Sequence, residues 1–331
     1  MLIYGSLLFL AIALYLIGPI APRRVEEDLL NIPQQGIEAY LAGQEAHFDL
    51  MEGANKQVTW ALEPEQRSDR ALLYFHGFAA TRHELEPVPG QLCKRLSFNR
   101  FDTRFKGHGI HDFGETLRTA TFQDWIHDAQ EAIEIGDIIA DKKIVMAYST
   151  GAAAALWAAW HFPQKIEALI LIAPNFKINH PFQALLTMPW GGQLVDLFLK
   201  KYRKFQASDW WDDETLEYAK KINFPYYPQR TILSVAVAAL FARSLDFSKL
   251  TIPVLIFLDT KDAIVCSKIT KDKIFPRIAS RNKKLIELNS YYPHHLICGK
   301  MGAVENNERI LEECTIFLEK IREEENLSFL S

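Results

Sequence analysis

Ser149 stands in the run Ala147-Tyr148-Ser149-Thr150-Gly151, between the apolar stretch 142–148 and a small-residue stretch that continues to Trp160. A serine at a sharp strand-to-helix turn presents its hydroxyl as a nucleophile. Its backbone is strained there, so the residues two positions away must be small, which gives the pattern G-x-S-x-G. Gly151 meets that demand on one side. Ala147 stands where the pattern has its first glycine, and its single methyl is the smallest departure available. A nucleophilic serine needs a base, and the base needs an orienting carboxylate. At this kind of turn the chain order is serine, acid, histidine. The stretch FLDTKDAIV offers Asp259 and Asp262, and YYPHHLI offers His294 and His295, each after an apolar run and in that order. The chemistry implied is acyl transfer. It also needs two backbone N–H groups aimed at a developing oxyanion. One comes from the residue after the nucleophile, Thr150. The other comes from the loop after an early strand, where His76-Gly77-Phe78 places the Phe78 N–H. Taken singly, a serine before a glycine or an aspartate in a turn is ordinary. Their joint placement carries the reading.

These residues need a frame. The runs 71–78, 142–148, 166–175, 252–265 and 284–292 read as buried strands, and helical patterns alternate with them. Alternation of this kind implies a mostly parallel central sheet flanked by helices, an α/β fold. Residues 121–141 read as a helix capped by Thr121, with Asp124 three residues on. A helix is expected around the prolines of 82–96, and an amphipathic helix closes the chain. AHFDLMEG and KQVTWALEP read as a hairpin turning at Gly53, Ala54 and Asn55. Residues 177–248 break the strand–helix rhythm with apolar and aromatic helices, so they read as a helical insertion.

Together the motifs resemble the α/β-hydrolase superfamily, and within it the monoacylglycerol lipase and bacterial carboxylesterase branch of serine aminopeptidase-like hydrolases. The resemblance rests on His76-Gly77-Phe78, Gly107-His108-Gly109, Ser149-Thr150-Gly151 and Asp262-Ala263-Ile264-Val265, and spans about residues 46–322. It implies an α/β-hydrolase core over 46–176 and 249–326, with 177–248 as a helical cap or lid. It implies Ser149 as nucleophile, Asp262 rather than Asp259 as the acid, and His295 rather than His294 as the base, since His295-Leu296-Ile297 fits the family's H-x-I. Ala147 and Ala152 depart from the family's glycines without removing a catalytic group. The activity implied is a serine esterase or lipase-like hydrolysis of carboxylic esters. Met188, Trp190, Phe198, Trp210 and Trp211 give the cap an apolar character suited to a lipophilic acyl chain, with Tyr148 and Trp190 as candidate substrate contacts. A peptidase or thioesterase on the same triad, or a non-catalytic binding protein on the same fold, are the alternatives.

The 331 residues are 49% hydrophobic and 24% charged with a net charge of -4, an ordinary globular composition that lacks the basic face of a nucleic-acid binder. The four cysteines, at 93, 266, 298 and 314, lack CxxC spacing and read as free thiols. The cluster His108, His111, Asp112, Asp124, His127 and Asp128 lacks the tight ligand spacing of a metal site, and no cofactor is expected. Residues 1–20 carry no charged side chain and are long enough for a bilayer-spanning helix. No basic residue precedes them, and Pro22 follows the one small-residue site, which argues against a cleaved signal peptide. Residues 1–22 are therefore expected to be a single-pass anchor and 23–45 a connector. Arg23 and Arg24 favour a cytoplasmic body. The expected partners are the membrane and a small-molecule or lipid ester. Oligomeric state is left open.

Overall fold

The protein is described by a computed structural model, which covers residues 36–181 and 183–330 together with 18, 20, 25, 26 and 30–34. Among the described residues the nine strands are β1 Gln57–Thr59, β2 Ser68–Phe75, β3 Asn99–Asp102, β4 Ala140–Tyr148, β5 Ile166–Ile172, β6 Tyr202–Lys204, β7 Tyr226–Pro228, β8 Val254–Leu258 and β9 Lys283–Glu287. Seven of them form one sheet in the order β1-β3-β2-β4-β5-β8-β9. Only β1 runs antiparallel, against β3; every other pairing is parallel. The α-helices of four or more residues among the described residues are α1 Ile37–Glu45, α2 Val88–Leu96, α3 Glu115–Thr119, α4 Phe122–Ile139, α5 Gly151–His161, α6 Gln183–Leu186, α7 Gly191–Phe198, α8 Asp213–Ile222, α9 Ile232–Ser244 and α10 Asn307–Leu330.

Alternation within the strands divides the core. Leu73, Phe75, Val145, Ala147, Leu169 and Leu171 face one side, packed with α4, α5 and α9. Leu72, Tyr74, Ile144, Met146, Ile170 and Ile172 face the other, packed with α2 and α10. A parallel sheet buried on both faces needs apolar residues at every position, which is why these strands read as continuous hydrophobic runs. The alanines of α5 let it lie close to the sheet and to Val235, Ala238 and Ala242 of α9. The α4 start is the expected capping box, with Thr121 and Asp124 exchanging side-chain and backbone bonds.

Three local expectations are corrected. Residues 46–53 and 56–64 do not pair as a hairpin. β1 pairs with β3, and Leu50 bridges Ile110 instead. The long-range partner offers a sheet edge already in place, which the local turn cannot match. The helix around the prolines begins at Val88, after Pro87, because proline suits only the first turn of a helix. The insertion 177–248 is not wholly helical, since β6 and β7 form a two-stranded ribbon within it.

The expected single-pass anchor, with the membrane localisation built on it, is also corrected. Among the described residues no helix is long and apolar enough to cross a membrane. The long helix α4 carries five carboxylates, Asp124, Asp128, Glu131, Glu134 and Asp137, which a bilayer core would not accept. Of the expected anchor, residues 1–17, 19, 21 and 22 lie outside the described residues, as do Arg23 and Arg24. All four cysteines are free; Cys93, Cys298 and Cys314 are buried.

Because the strands are parallel, the loops leaving β2, β4, β8 and β9 emerge at one edge of the sheet. Strands β2 and β4 are neighbours from which the chain moves outward in opposite directions. Such a crevice at the carboxyl ends of the strands is where ligands bind in open α/β sheets.

Candidate active site

Ser149 follows β4 directly and takes a left-handed backbone with φ 50. For a residue with a side chain this conformation costs about 1–2 kcal/mol, so the surroundings must enforce it. They do so through main-chain bonds to the neighbouring strand exit. Ser149 N–H donates to Ile172 O at 3.0 Å, and Asn175 N–H donates to Ser149 O at 3.0 Å. Gly151 has no room for a side chain. A Cβ there would lie 2.5 Å from Phe75 O and 2.6 Å from His76 O. Ala147 is fully buried in the core, so its methyl is accommodated where a glycine was the usual choice.

The loop after β9 brings His295 to the serine. His295 Nε2 lies 2.9 Å from Ser149 Oγ, and its Nδ1 lies 2.7 Å from Asp262 Oδ2. The other carboxylate oxygen of Asp262 accepts the N–H groups of Ile264 at 2.7 Å and Val265 at 2.9 Å. All three side chains are buried. The arrangement is a hydroxyl bonded to an imidazole whose far nitrogen is held by a fixed carboxylate, the geometry that nucleophilic acyl transfer requires.

Asp259 and His294 form a second, parallel pair across the same two loops, 3.2 Å apart. Asp259 lies just past the end of β8 and accepts Lys261 N–H together with the N–H and hydroxyl of Ser290. Burial works against its charge, but these hydrogen bonds outweigh it and hold the carboxyl below its ordinary value. His294 lies 23% exposed and does not touch Ser149 Oγ, so the structure brings His295 and Asp262 to the serine, and these two to the side.

Tyr148 is 2% exposed, with its hydroxyl donating to His295 O at 3.1 Å and its ring 5.2 Å from the imidazole. Its side chain braces the loop that carries the histidine. Trp190 opens α7, half-exposed, with its ring against Gly18. Phe78 and Thr150 stand on either side of the elbow, and neither N–H donates a hydrogen bond among the described residues. Four of the six residues in the group His108, His111, Asp112, Asp124, His127 and Asp128 have structural work. His108 is buried against His76, Asp112 accepts Gly114 and Thr116 N–H, Asp124 caps α4, and Asp128 accepts Lys106 N–H and faces Lys56.

One buried acid gave no sequence signal. Glu84, in the turn before α2, accepts Gly77 N–H through a short bond and the Tyr74 hydroxyl at 3.2 Å. Burial pushes its carboxyl up to about 8, despite the lowering from those two donors. His76, next in the chain to Gly77, is pushed down to about 4 by burial.

The family model described as Serine aminopeptidase, S33 matches residues 66–299. The chain belongs to this family. The serine aminopeptidase S33 match takes in β2 through the His295 loop, and with it the α/β-hydrolase fold and a hydrolase class. A search of the curated proteins finds no match. Among solved structures, a metagenome-derived lipolytic enzyme of the LipS and LipT study aligns at 21% identity and TM-score 0.65, covering 82% of this chain and 99% of its own. The monoacylglycerol lipase of Paleococcus ferrophilus aligns at 13% identity and TM-score 0.58, over 81% and 98%. A soluble variant of monoglyceride lipase from Saccharomyces cerevisiae aligns at 17% identity and TM-score 0.58, over 92% and 99%. These likenesses show a shared fold.

Proposed function

We propose that the protein is a serine hydrolase of carboxylic esters, acting through an acyl-enzyme on Ser149. The single observation that carries this is the continuous chain from Ser149 Oγ to His295 to Asp262, at 2.9 and 2.7 Å. His295 Nε2 takes the Ser149 proton as Oγ attacks the ester carbonyl. Asp262 holds Nδ1–H and stabilises the imidazolium that forms. The unspent N–H groups of Phe78 and Thr150 receive the oxyanion. His295 then gives the proton to the departing alkoxide. A water, deprotonated by the same nitrogen, releases the acid and restores Ser149.

Lipophilic acyl esters, of the monoacylglycerol or lysophospholipid kind, fit the residues beside these groups. Phe78 flanks the oxyanion loop, Ile264 beside Asp262 is 39% exposed, and Tyr292 near the histidines is 73% exposed. That solved structures of like fold are named as lipolytic enzymes and monoacylglycerol lipases supports the same substrate class. Residues 177–248 would act as the cap. Its first residues are tied to the acid loop, through Ile178 bridging Val265 and the Asn179 amide donating to Asp262 O at 3.1 Å.

The test is hydrolysis of p-nitrophenyl acyl esters from two to sixteen carbons (on the order of a lysolipid tail, whose burial gains about 0.8 kcal/mol per methylene), with aminoacyl p-nitroanilides alongside. Turnover that rises with chain length and vanishes in Ser149→Ala is expected. Turnover of the anilides alone would replace the ester reading with a peptidase.

A further inference from the structure

We propose that Glu84 is a positioning residue of the oxyanion loop, fixing the His76–Gly77 peptide so that the next N–H, that of Phe78, faces Ser149, and that its ionisation shuts the site down at alkaline pH. This rests on the esterase reading above.

The loop after β2 has two consecutive N–H groups, and they go opposite ways. Gly77 N–H turns inward to the Glu84 carboxyl, while Phe78 N–H has no acceptor among the described residues. Each peptide plane is rigid, and both planes at Gly77 are held: Glu84 fixes the His76–Gly77 plane through Gly77 N–H, and His76 Nδ1, 2.8 Å from Gly77 O, fixes the plane that carries Phe78 N–H. The anchor is tight. A Cβ on Gly77 would lie 2.8 Å from Tyr148 Cδ1 and 3.0 Å from Glu84 Oε2, so the loop is gripped between the tyrosine ring and the carboxyl. Glu84 is itself held by the Tyr74 hydroxyl from β2, and its own turn packs under Gly299, whose Cβ would meet Glu84 O at 2.6 Å. A polar side chain buried to this degree, with no cation against it, is expensive unless it has work to do.

The groups facing Glu84 are Tyr74 on β2, Gly77 in the oxyanion loop, Tyr148 on β4 and Cys298 before α10. None carries positive charge. The two tyrosines are pushed well above their usual range, chiefly by burial, and the Cys298 thiol is pushed up for the same reason. Glu84 is therefore the member of this group that changes charge between pH 7 and 9. As a neutral acid it accepts Gly77 N–H without adding charge. Once ionised, it sets a buried negative charge behind the two N–H groups that must receive a second one. Preorganised donors work only where the local field favours the developing charge. The hydrogen bond is made in either state, so the repulsion decides, and kcat falls as Glu84 ionises.

The test compares the full chain with Glu84→Gln and Glu84→Ala on p-nitrophenyl butyrate from pH 6 to 9.5. The Gly77 amide resonance is followed over the same range. Wild-type kcat is expected to fall about tenfold above pH 8, a part of the 10²–10³ lost when a whole oxyanion donor is removed, with KM little changed. Glutamine keeps an acceptor for Gly77 N–H and cannot ionise. Glu84→Gln should hold kcat within about threefold of wild type at pH 7 and lose the alkaline fall. Glu84→Ala, which leaves Gly77 N–H unpaired, should lose kcat at every pH. In wild type the Gly77 amide shift should titrate with the same midpoint as kcat. An alkaline limb in Glu84→Gln that superimposes on wild type, or a Gly77 amide that does not move, overturns the proposal. If no ester turns over yet the Gly77 amide titrates in wild type and not in Glu84→Gln, the coupling stands and the esterase reading falls.

Discussion

The hydroxyl of Tyr148 donates to the main-chain carbonyl of His295 across 3.1 Å, so the residue just before the nucleophile holds the loop that carries its base. One residue of β4 thereby fixes the spacing of two groups 146 positions apart in the chain. Tyr148→Phe keeps the ring against the imidazole and removes only this bond. A bond of this kind is worth about 0.5–1.5 kcal/mol. The expected result is a fall in kcat of about three- to tenfold with KM nearly unchanged, read from steady-state kinetics on one ester. An unchanged kcat would show that the loop is held without Tyr148.

The two Asp–His pairs should separate cleanly. Asp262 receives Nδ1 of the histidine that touches Ser149, and Asp259 receives that of its neighbour. Asp262→Asn offers His295 the wrong partner and should lower kcat by about 10⁴-fold. Asp259→Asn loosens the Ser290 turn and should cost about tenfold or less, the worth of a hydrogen bond. Parallel measurements of kcat, with circular dichroism to verify folding, decide between them. Equal losses would mean the second pair takes part in the proton transfer.

Much of this site was legible because its signals are local. The elbow is five consecutive residues, and its strained φ leaves a mark in the small residues around Ser149. The buried strands announce themselves as apolar runs, and the serine, acid, histidine order follows from the loops after them. The residue types alone offered two acids and two histidines; the family resemblance pointed to Asp262 and His295, and the fold brings that pair to the serine. What stayed illegible depends on long-range placement. Glu84 reads as an ordinary glutamate in RHELEPVPG, and nothing near it in the chain tells that Gly77 and Tyr74 surround it. The false hairpin at 46–64 came from a good local turn that lost to the β3 edge. The ribbon of β6 with β7 escaped notice because α8 lies between its two short strands.

Gly151 tests how closely the elbow is packed under the oxyanion loop. Its missing side chain leaves room for Phe75 O and His76 O, backbone atoms that cannot swing aside. Gly151→Ala should destabilise the fold by about 1–3 kcal/mol, the usual cost of overpacking. The relief available is a shift of residues 76–78, which would carry Phe78 N–H away from Ser149. The loss of one such donor costs about 10²–10³ in kcat. Urea unfolding and kinetics on the same preparation would check both. A stable, fully active variant would mean the loop is free to move without consequence.

Stability should carry the signature of the buried acid independently of catalysis. Glu84 binds its proton in the folded protein up to about pH 8, whereas in the unfolded chain it releases it near its ordinary value of 4.5. Between those values the folded state holds the extra proton, so unfolding free energy falls as pH rises, by ~1.4 kcal/mol per unit for one group. The buried histidines act on the other side. His76, held at about 4 against an ordinary 6.5, costs stability only as pH drops below 6.5. The window from 6.5 to 8 therefore isolates Glu84. Urea unfolding across that window should show wild type losing stability and Glu84→Gln losing measurably less, with the gap between them widening in the variant's favour. Parallel slopes for the two proteins would mean that Glu84 is already ionised at neutral pH, and the alkaline loss of activity would need another group.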